Sequence, residues 1–113
     1  MADSCLFCRI ASGEIPSAKV AETETAFAFR DIDPKAPTHV LVIPRVHVPS
    51  LSAVSDPAMF GDLLSFAALV ARSEGLEENG YRVVINNGSD GGQTVDHLHL
   101  HVLGGRRLTW PPG

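Results

Sequence analysis

The chain has 113 residues, 44% of them hydrophobic and 19% charged, a balance that suits one globular domain and excludes a disordered chain. Thirteen Asp and Glu against nine Lys and Arg leave a net charge of −4, and with no basic run this argues against a nucleic-acid or acidic-membrane binder. No apolar stretch nears the roughly 18 residues of a membrane span, and Met1-Ala2-Asp3-Ser4 lacks the charged and apolar regions of a signal peptide, so a cytoplasmic location is expected.

The chain opens with Cys5-Leu6-Phe7-Cys8. In a cytosolic chain this spacing reads as metal or redox chemistry rather than as a disulfide framework. Over residues 5–15 Leu6, Phe7, Ile10 and Ala11 recur at helical spacing, until Gly13 and Pro16 end the run. Lys19–Glu22 and Thr25–Arg30 read as two short strands, with Ala26 and Ala28 facing away from Phe27 and Phe29. Residues 31–37 hold two aspartates and two prolines, which make a loop. His39–Ile43 is a continuous β-branched run, a buried strand stopped by Pro44. Asp56 caps and Pro57 opens one long helix over 56–74, with Phe60, Leu63, Leu64, Ala67, Val70 and Ala71 as its apolar face and Gly75 as its stop. Tyr81–Asn86 and His97–Leu103 are strands on either side of the glycine-rich stretch Asn87-Gly88-Ser89-Asp90-Gly91-Gly92. Gly104-Gly105 breaks the last strand, and an extended tail, 106–113, ends in Trp110-Pro111-Pro112-Gly113. The expected fold class is a mainly antiparallel α+β domain spanning 1–113.

Three of the five histidines fall at 97, 99 and 101. An H-x-H-x-H run is expected by chance only about 0.01 times in such a chain. Residues two apart in a strand share a face, about 7 Å from one another. His97, His99 and His101 therefore project one way, and Leu98, Leu100 and Val102 project into a core. Imidazole is the side chain best placed at neutral pH to act as nucleophile, base or acid. The glycine-rich turn 88–92, followed by Gln93-Thr94, offers backbone amides that can cradle a phosphate. There is no G-x-G-x-x-G and no P-loop lysine motif, which excludes dinucleotide-fold and P-loop NTPase readings.

His97-Leu98-His99-Leu100-His101-Val102-Leu103 resembles the signature of the histidine triad (HIT) superfamily. Pro37-Thr38-His39-Val40-Leu41-Val42-Ile43-Pro44, Gly88-Ser89-Asp90-Gly91-Gly92-Gln93 and Gly104-Gly105-Arg106 agree with it, and Trp110-Pro111-Pro112-Gly113 is similar to the tail of the Hint branch. The resemblance runs from about Leu6 to Gly113. It implies a five-stranded antiparallel sheet with two helices, which pairs as a homodimer into a ten-stranded sheet. It also implies a purine nucleoside phosphoramidase, acting on AMP or GMP bonded to an amine through a nucleotidylated histidine.

Carried over by position, the resemblance makes His99 the nucleophile and His39 the residue that hydrogen-bonds its other ring nitrogen. His101 supports the phosphate. Asn86, Gly92, Gln93 and Thr94 contact the phosphate and leaving group, with Thr94 standing where Hint proteins usually carry serine. Asp31 receives the ribose hydroxyls; Leu6, Phe7, Ile10, Phe29, Ile32 and Leu41 form the base pocket; Trp110 approaches the leaving amine in the neighbouring subunit. Cys5, Cys8, His47 and His97 match a zinc set used by many bacterial members, two thiolates and two imidazoles that suit structural zinc. The competing readings are a dinucleoside polyphosphate hydrolase and a nucleotide-binding regulatory module with weak catalysis. The first usually continues the triad with Pro-Arg where Gly104-Gly105 stands here. The uridylyltransferase branch has glutamine at the position of His101.

Overall fold

The computed structural model describes residues 4–113; the Met1-Ala2-Asp3 part of the signal-peptide reading lies outside the described residues. Helix α1 (Leu6–Ala11) is capped by Cys5, whose Sγ accepts from the Cys8 N–H. It is shorter than the 5–15 stretch the spacing suggested, because Ser12 already caps its end and Gly13 adopts φ +84°. Five strands follow the expected order: β1 (Lys19–Glu22), β2 (Ala26–Arg30), β3 (Thr38–Pro44), β4 (Tyr81–Val84) and β5 (Leu100–Gly104). Helix α2 (Pro57–Ser73) stands between β3 and β4, preceded by a short 3-10 turn at Leu51–Ala53. Asp56 Oδ1 caps α2 by accepting from the Ala58 N–H, and Gly75, at φ +75°, turns the chain out of it. No helix among the described residues is long and apolar enough to cross a membrane.

The strands form one antiparallel sheet in the order β1-β2-β3-β5-β4. Period-2 alternation sorts its side chains onto two faces. Ala26, Ala28, Val40, Val42, Leu100 and Val102 pack under α2, against Leu63, Phe66, Ala67, Val70 and Ala71. Phe27, Phe29, Leu41 and Ile43 pack under α1, against Phe7, Ile10 and Ala11. The continuous apolar run of β3 thus serves both faces, as a central strand must.

Two strands are shorter than the sequence suggested, and at the same end of the sheet. Tyr81–Asn86 pairs only as far as Val84, opposite His101, and His97–Leu103 enters the ladder only at Leu100, opposite Val42. Before Leu100 the chain takes other partners. The Leu98 N–H donates to Val48 O at 2.7 Å, and Pro44 O is occupied by the His97 imidazole at 2.9 Å. His97 and His99 therefore precede β5 rather than lying in it. The alternation still holds across the bend, since Leu98 packs with Leu100 and Val102 in the α2 core.

Candidate active site and metal centre

All five imidazoles sit on the α1 side or at its edge, and backbone groups fix several of their tautomers. His99 Nδ1 lies 2.7 Å from His97 O. A carbonyl only accepts, so Nδ1 carries the hydrogen and Nε2 carries the lone pair. His97 Nε2 lies 2.9 Å from Pro44 O, which leaves Nδ1 as its free lone pair. The Lys35 N–H donates to His39 Nδ1 at 3.0 Å, so His39 holds its hydrogen on Nε2. That Nε2 is 2.9 Å from His101 Nδ1, which must accept. His101 is left with its hydrogen on Nε2, the one buried side-chain polar atom without a partner among the described residues. A buried donor left unpaired costs about 1–3 kcal/mol, so this N–H is poised for an acceptor the chain does not supply.

This corrects one sequence-based assignment. His39 does not hydrogen-bond the nucleophile's second nitrogen; the carbonyl of His97 does, and His39 holds His101. The strand register explains it. His39 pairs with Leu103 and Leu41 with His101, so the two histidines meet diagonally across β3 and β5, whereas His99 lies beyond the ladder.

Burial disfavours the charged form of His39, His97 and His101. It pushes the His101 imidazole down to about 4, with the His99 and His39 rings adding to the effect. It lowers His39 too, against the opposing pull of the Asp31 carboxylate. An unfolded histidine takes its proton near 6.5 and folded His101 only near 4. Between those values the unfolded chain binds more protons, so acid removes stability as pH falls from about 6.5 to 4. Urea midpoints at pH 7 and 4.5 should show a lower value at pH 4.5, and His101→Gln should narrow the gap. An equal gap in that variant would assign the acid sensitivity elsewhere.

A cavity of about 240 Å³ opens beside these rings, lined by Leu6, Phe7, Ile10, Phe29, Asp31, Ile32, Leu41, Thr94, Val95, His99 and His101. Every residue expected in the base pocket is in this wall, together with Asp31, Thr94 and two of the triad histidines. The Phe7 ring meets His99 edge-on, with centroids 5.2 Å apart. Val95 is a lining residue the sequence reading missed; its only signal is its place between Thr94 and the histidine run. Asp31 accepts the Asp33 N–H on Oδ1 at 2.8 Å, and its Oδ2 is 3.5 Å from His39 Nε2.

Five expected residues are not in the wall. His39 reaches it only through His101, whose Nδ1 its Nε2 meets at 2.9 Å. Gln93 braces the glycine-rich turn: its Oε1 accepts from the Gly88 N–H, and its Nε2 donates to Pro49 O and Val95 O. Gly92 adopts φ +83° within the same turn. Gly91 is needed there, since a Cβ would stand 2.5 Å from Asn87 O. Asn86 is half-buried past the end of β4. Trp110 is 80% exposed, in a tail tied to β4 where Arg82 Nη2 donates to Thr109 O.

The second cluster is the cysteine pair. Cys5, Cys8, His47 and His97 bring four ligand atoms within 4.8 Å of one another. His97 Nδ1 is 3.3 Å from Cys5 Sγ, 3.5 Å from Cys8 Sγ and 3.3 Å from His47 Nδ1, and Cys8 Sγ is 3.5 Å from His47 Nδ1. Zinc bonds of about 2.0–2.3 Å give tetrahedral ligand separations of about 3.3–3.8 Å, so the spacing fits. The tautomer fits as well, because Pro44 O forces the His97 lone pair onto the nitrogen that faces the thiols. Burial and the Cys5 thiol push the Cys8 thiol up to about 11, the direction a bound cation reverses. Asp31, His39 and His101 also lie close together, but the Lys35 N–H on His39 Nδ1 puts a hydrogen on the nitrogen a metal would need.

Residues 12–108 match the model of the HIT domain family. The chain belongs to the HIT family. It is 50% identical over 112 residues to the 14 kDa zinc-binding protein of Zea mays, covering 96% of this chain and 87% of that one. Its fold superposes on a HIT family hydrolase from Legionella pneumophila with a TM-score of 0.95 at 52% identity, over 97% of this chain and 100% of that one. A histidine triad nucleotide-binding protein from Candida albicans aligns with a TM-score of 0.83 at 38% identity, over 96% and 83% of the two chains. The five-stranded antiparallel sheet with two helices is therefore the HIT fold, and the HIT domain fills almost the whole chain.

Proposed function

We propose that this HIT protein is a purine nucleoside phosphoramidase of the Hint branch, hydrolysing the P–N bond between AMP or GMP and an amine. One observation supports the reading: His99, with its lone pair on Nε2, and His101, with an unpaired Nε2–H, both line the cavity, their ring centroids 5.0 Å apart. His99 Nε2 forms a bond to the α-phosphorus. The P–N bond breaks with its electron pair on the amine nitrogen, which takes a proton from solvent. His101 Nε2–H receives the phosphoryl oxygen, whose charge grows as the bond forms. Water then attacks the nucleotidyl-histidine, releasing AMP or GMP and restoring the imidazole. One difficult displacement becomes two easier ones. Leu6, Phe7, Ile10, Phe29, Ile32 and Leu41 hold the base, Asp31 the ribose diol, and Thr94 offers a hydroxyl to the leaving group. The nucleotide-binding Candida relative and the Legionella hydrolase support both halves of the reading. Cys5, Cys8, His47 and His97 would hold zinc as a structural tie between α1 and the sheet, in line with the zinc-binding maize relative. The proposed location is the cytoplasm, as expected from the sequence.

The test is turnover of an AMP–amine conjugate beside diadenosine triphosphate. The conjugate should be hydrolysed faster. Preference for the diadenosine compound would favour the polyphosphate hydrolase reading, and no turnover of either would favour the regulatory module.

Asp31→Asn tests the sugar contact. A carboxylate offers about four acceptor sites, so Asp31 has room for a vicinal diol beyond its Asp33 contact. The amide keeps one oxygen, and losing a charge-assisted hydrogen bond is worth on the order of 1.5–3 kcal/mol. The expected result is a loss of roughly 10- to 100-fold in kcat/KM on ribose substrates and almost none on a 2′,3′-dideoxy analogue. An equal loss on both would remove Asp31 from the ribose.

We also propose a homodimer. Strand β4 is a sheet edge that carries the exposed Tyr81, and helix α2 leaves Leu64 and Leu69 exposed at 49% and 56%. A second copy pairing there gives a ten-stranded sheet, covers those side chains, and brings each Trp110 toward the partner's cavity. Sedimentation should give twice the protomer mass, and deletion of residues 109–113 should change which amines are accepted more than it changes AMP binding. A fully active monomer would overturn this.

A further inference from the structure

The Gly104-Gly105-Arg106 turn after β5 has no role in the chemistry so far, yet its geometry is specific. A Cβ on Gly104 would stand 2.7 Å from Leu76 Cδ1, and one on Gly105, at φ +91°, would stand 2.8 Å from Pro37 Cβ. At Gly105 the chain passes the 31–37 loop at a distance, and with a positive φ, that suit only glycine. The next residue, Arg106, is thereby delivered to that loop, where its Nη2 donates to Lys35 O at 2.9 Å. Its Nη1 donates to Arg107 O at 3.0 Å, which steadies the guanidinium.

Lys35 is where the histidine chain begins. Its N–H holds His39 Nδ1, and His39 Nε2 then donates to His101 Nδ1. We propose that Arg106 is a positioning residue for the reaction: by clamping the Lys35 carbonyl it keeps the Lys35 N–H on His39, and so keeps the hydrogen of His101 on its unpaired Nε2. Without the clamp the exposed stretch Ile32–Lys35 is free to withdraw that N–H. His39 can then place its hydrogen on Nδ1 and accept on Nε2, with only the Asp31 carboxylate, 3.5 Å from Nε2, opposing the change. His101 then donates from Nδ1 and carries a lone pair on Nε2 in place of the N–H. A lone pair repels the phosphoryl oxygen that the N–H would bind. The cost falls on the transition state, where that oxygen carries most charge.

The inference rests on the phosphoryl role given to His101, so its test needs a readout besides turnover. Ring ¹⁵N NMR of wild type should show His101 with Nε2 protonated and Nδ1 bare. In Arg106→Ala the His101 signals should move toward a mixture of tautomers. The kcat on an AMP–amine conjugate should fall about fivefold, the scale of one charge-assisted hydrogen bond partly open to water, with KM little changed. Arg106→Lys, which restores a donor, should recover part of both. Arg107→Ala removes the same charge one residue along and should match wild type in both. An Arg106→Ala protein with the wild-type His101 tautomer overturns the proposal, as does an equal effect in Arg107→Ala. If wild type turns over no nucleoside phosphoramidate, the functional reading fails, while the tautomer comparison still decides whether Arg106 governs His101.

Discussion

His99→Ala is expected to abolish turnover, on the order of 10⁴-fold or more, as removal of a covalent nucleophile does in other enzymes, while nucleotide still binds. Binding survives because the remaining wall of the cavity, apolar side chains plus Asp31, Thr94 and His101, still offers the base and ribose contacts. His99 is held by the edge of Phe7 and by the His97 carbonyl, so its loss leaves a space beside Phe7 rather than a broken sheet. Quenched wild type should carry an added AMP on His99 by mass spectrometry, and His99→Ala should carry none. Activity retained in His99→Ala would sink the covalent mechanism, and an adduct on another residue would move the nucleophile there.

The sheet that presents His99 was readable from its alternation. Ala26 and Ala28 against Phe27 and Phe29 announce two covered faces, and the unbroken run in β3 announces a strand between them. The common face of His97, His99 and His101 follows from period 2 and survives the bend at Leu98, because Leu98 and Leu100 stay anchored in the α2 core. What the residues do not spell out is carried by backbone. The His97 carbonyl, the Pro44 carbonyl and the Lys35 N–H choose the tautomers of three histidines, and every residue type offers a carbonyl. That is why His39 could be paired with the wrong histidine from sequence: its partner depends on register and on where the ladder ends. Gln93 shows the same limit. A glutamine beside a glycine turn suits a ligand contact and a brace equally, and only the filled bonds to Gly88, Pro49 and Val95 distinguish them.

The cysteine pair carries the other large effect. Protein purified without chelator should hold about one zinc per protomer, and Cys5→Ala/Cys8→Ala should hold none, because two imidazoles alone do not make a closed tetrahedral set. The double variant should lose about 3 kcal/mol or more, since a structural metal's binding energy is part of the folding energy; for a domain of this size that lowers Tm by ~10 °C or more. The physical reason is the shortness of α1. Six residues make a marginal helix, and α1 rests on Phe7, Ile10 and Ala11 against the sheet plus whatever ties Cys5 and Cys8 to His47 and His97. His97 belongs to both centres, offering Nδ1 to the thiols and its carbonyl to His99. Two contacts independent of the metal hold it in place: its Nε2–H on Pro44 O and the adjacent Leu98 N–H on Val48 O. Activity measured well below the lowered Tm should therefore survive in the double variant, while zinc and thermal stability go. Zinc retained by Cys5→Ala/Cys8→Ala would refute the ligand set. Loss of zinc with no change in Tm would show that α1 is held by its apolar contacts alone.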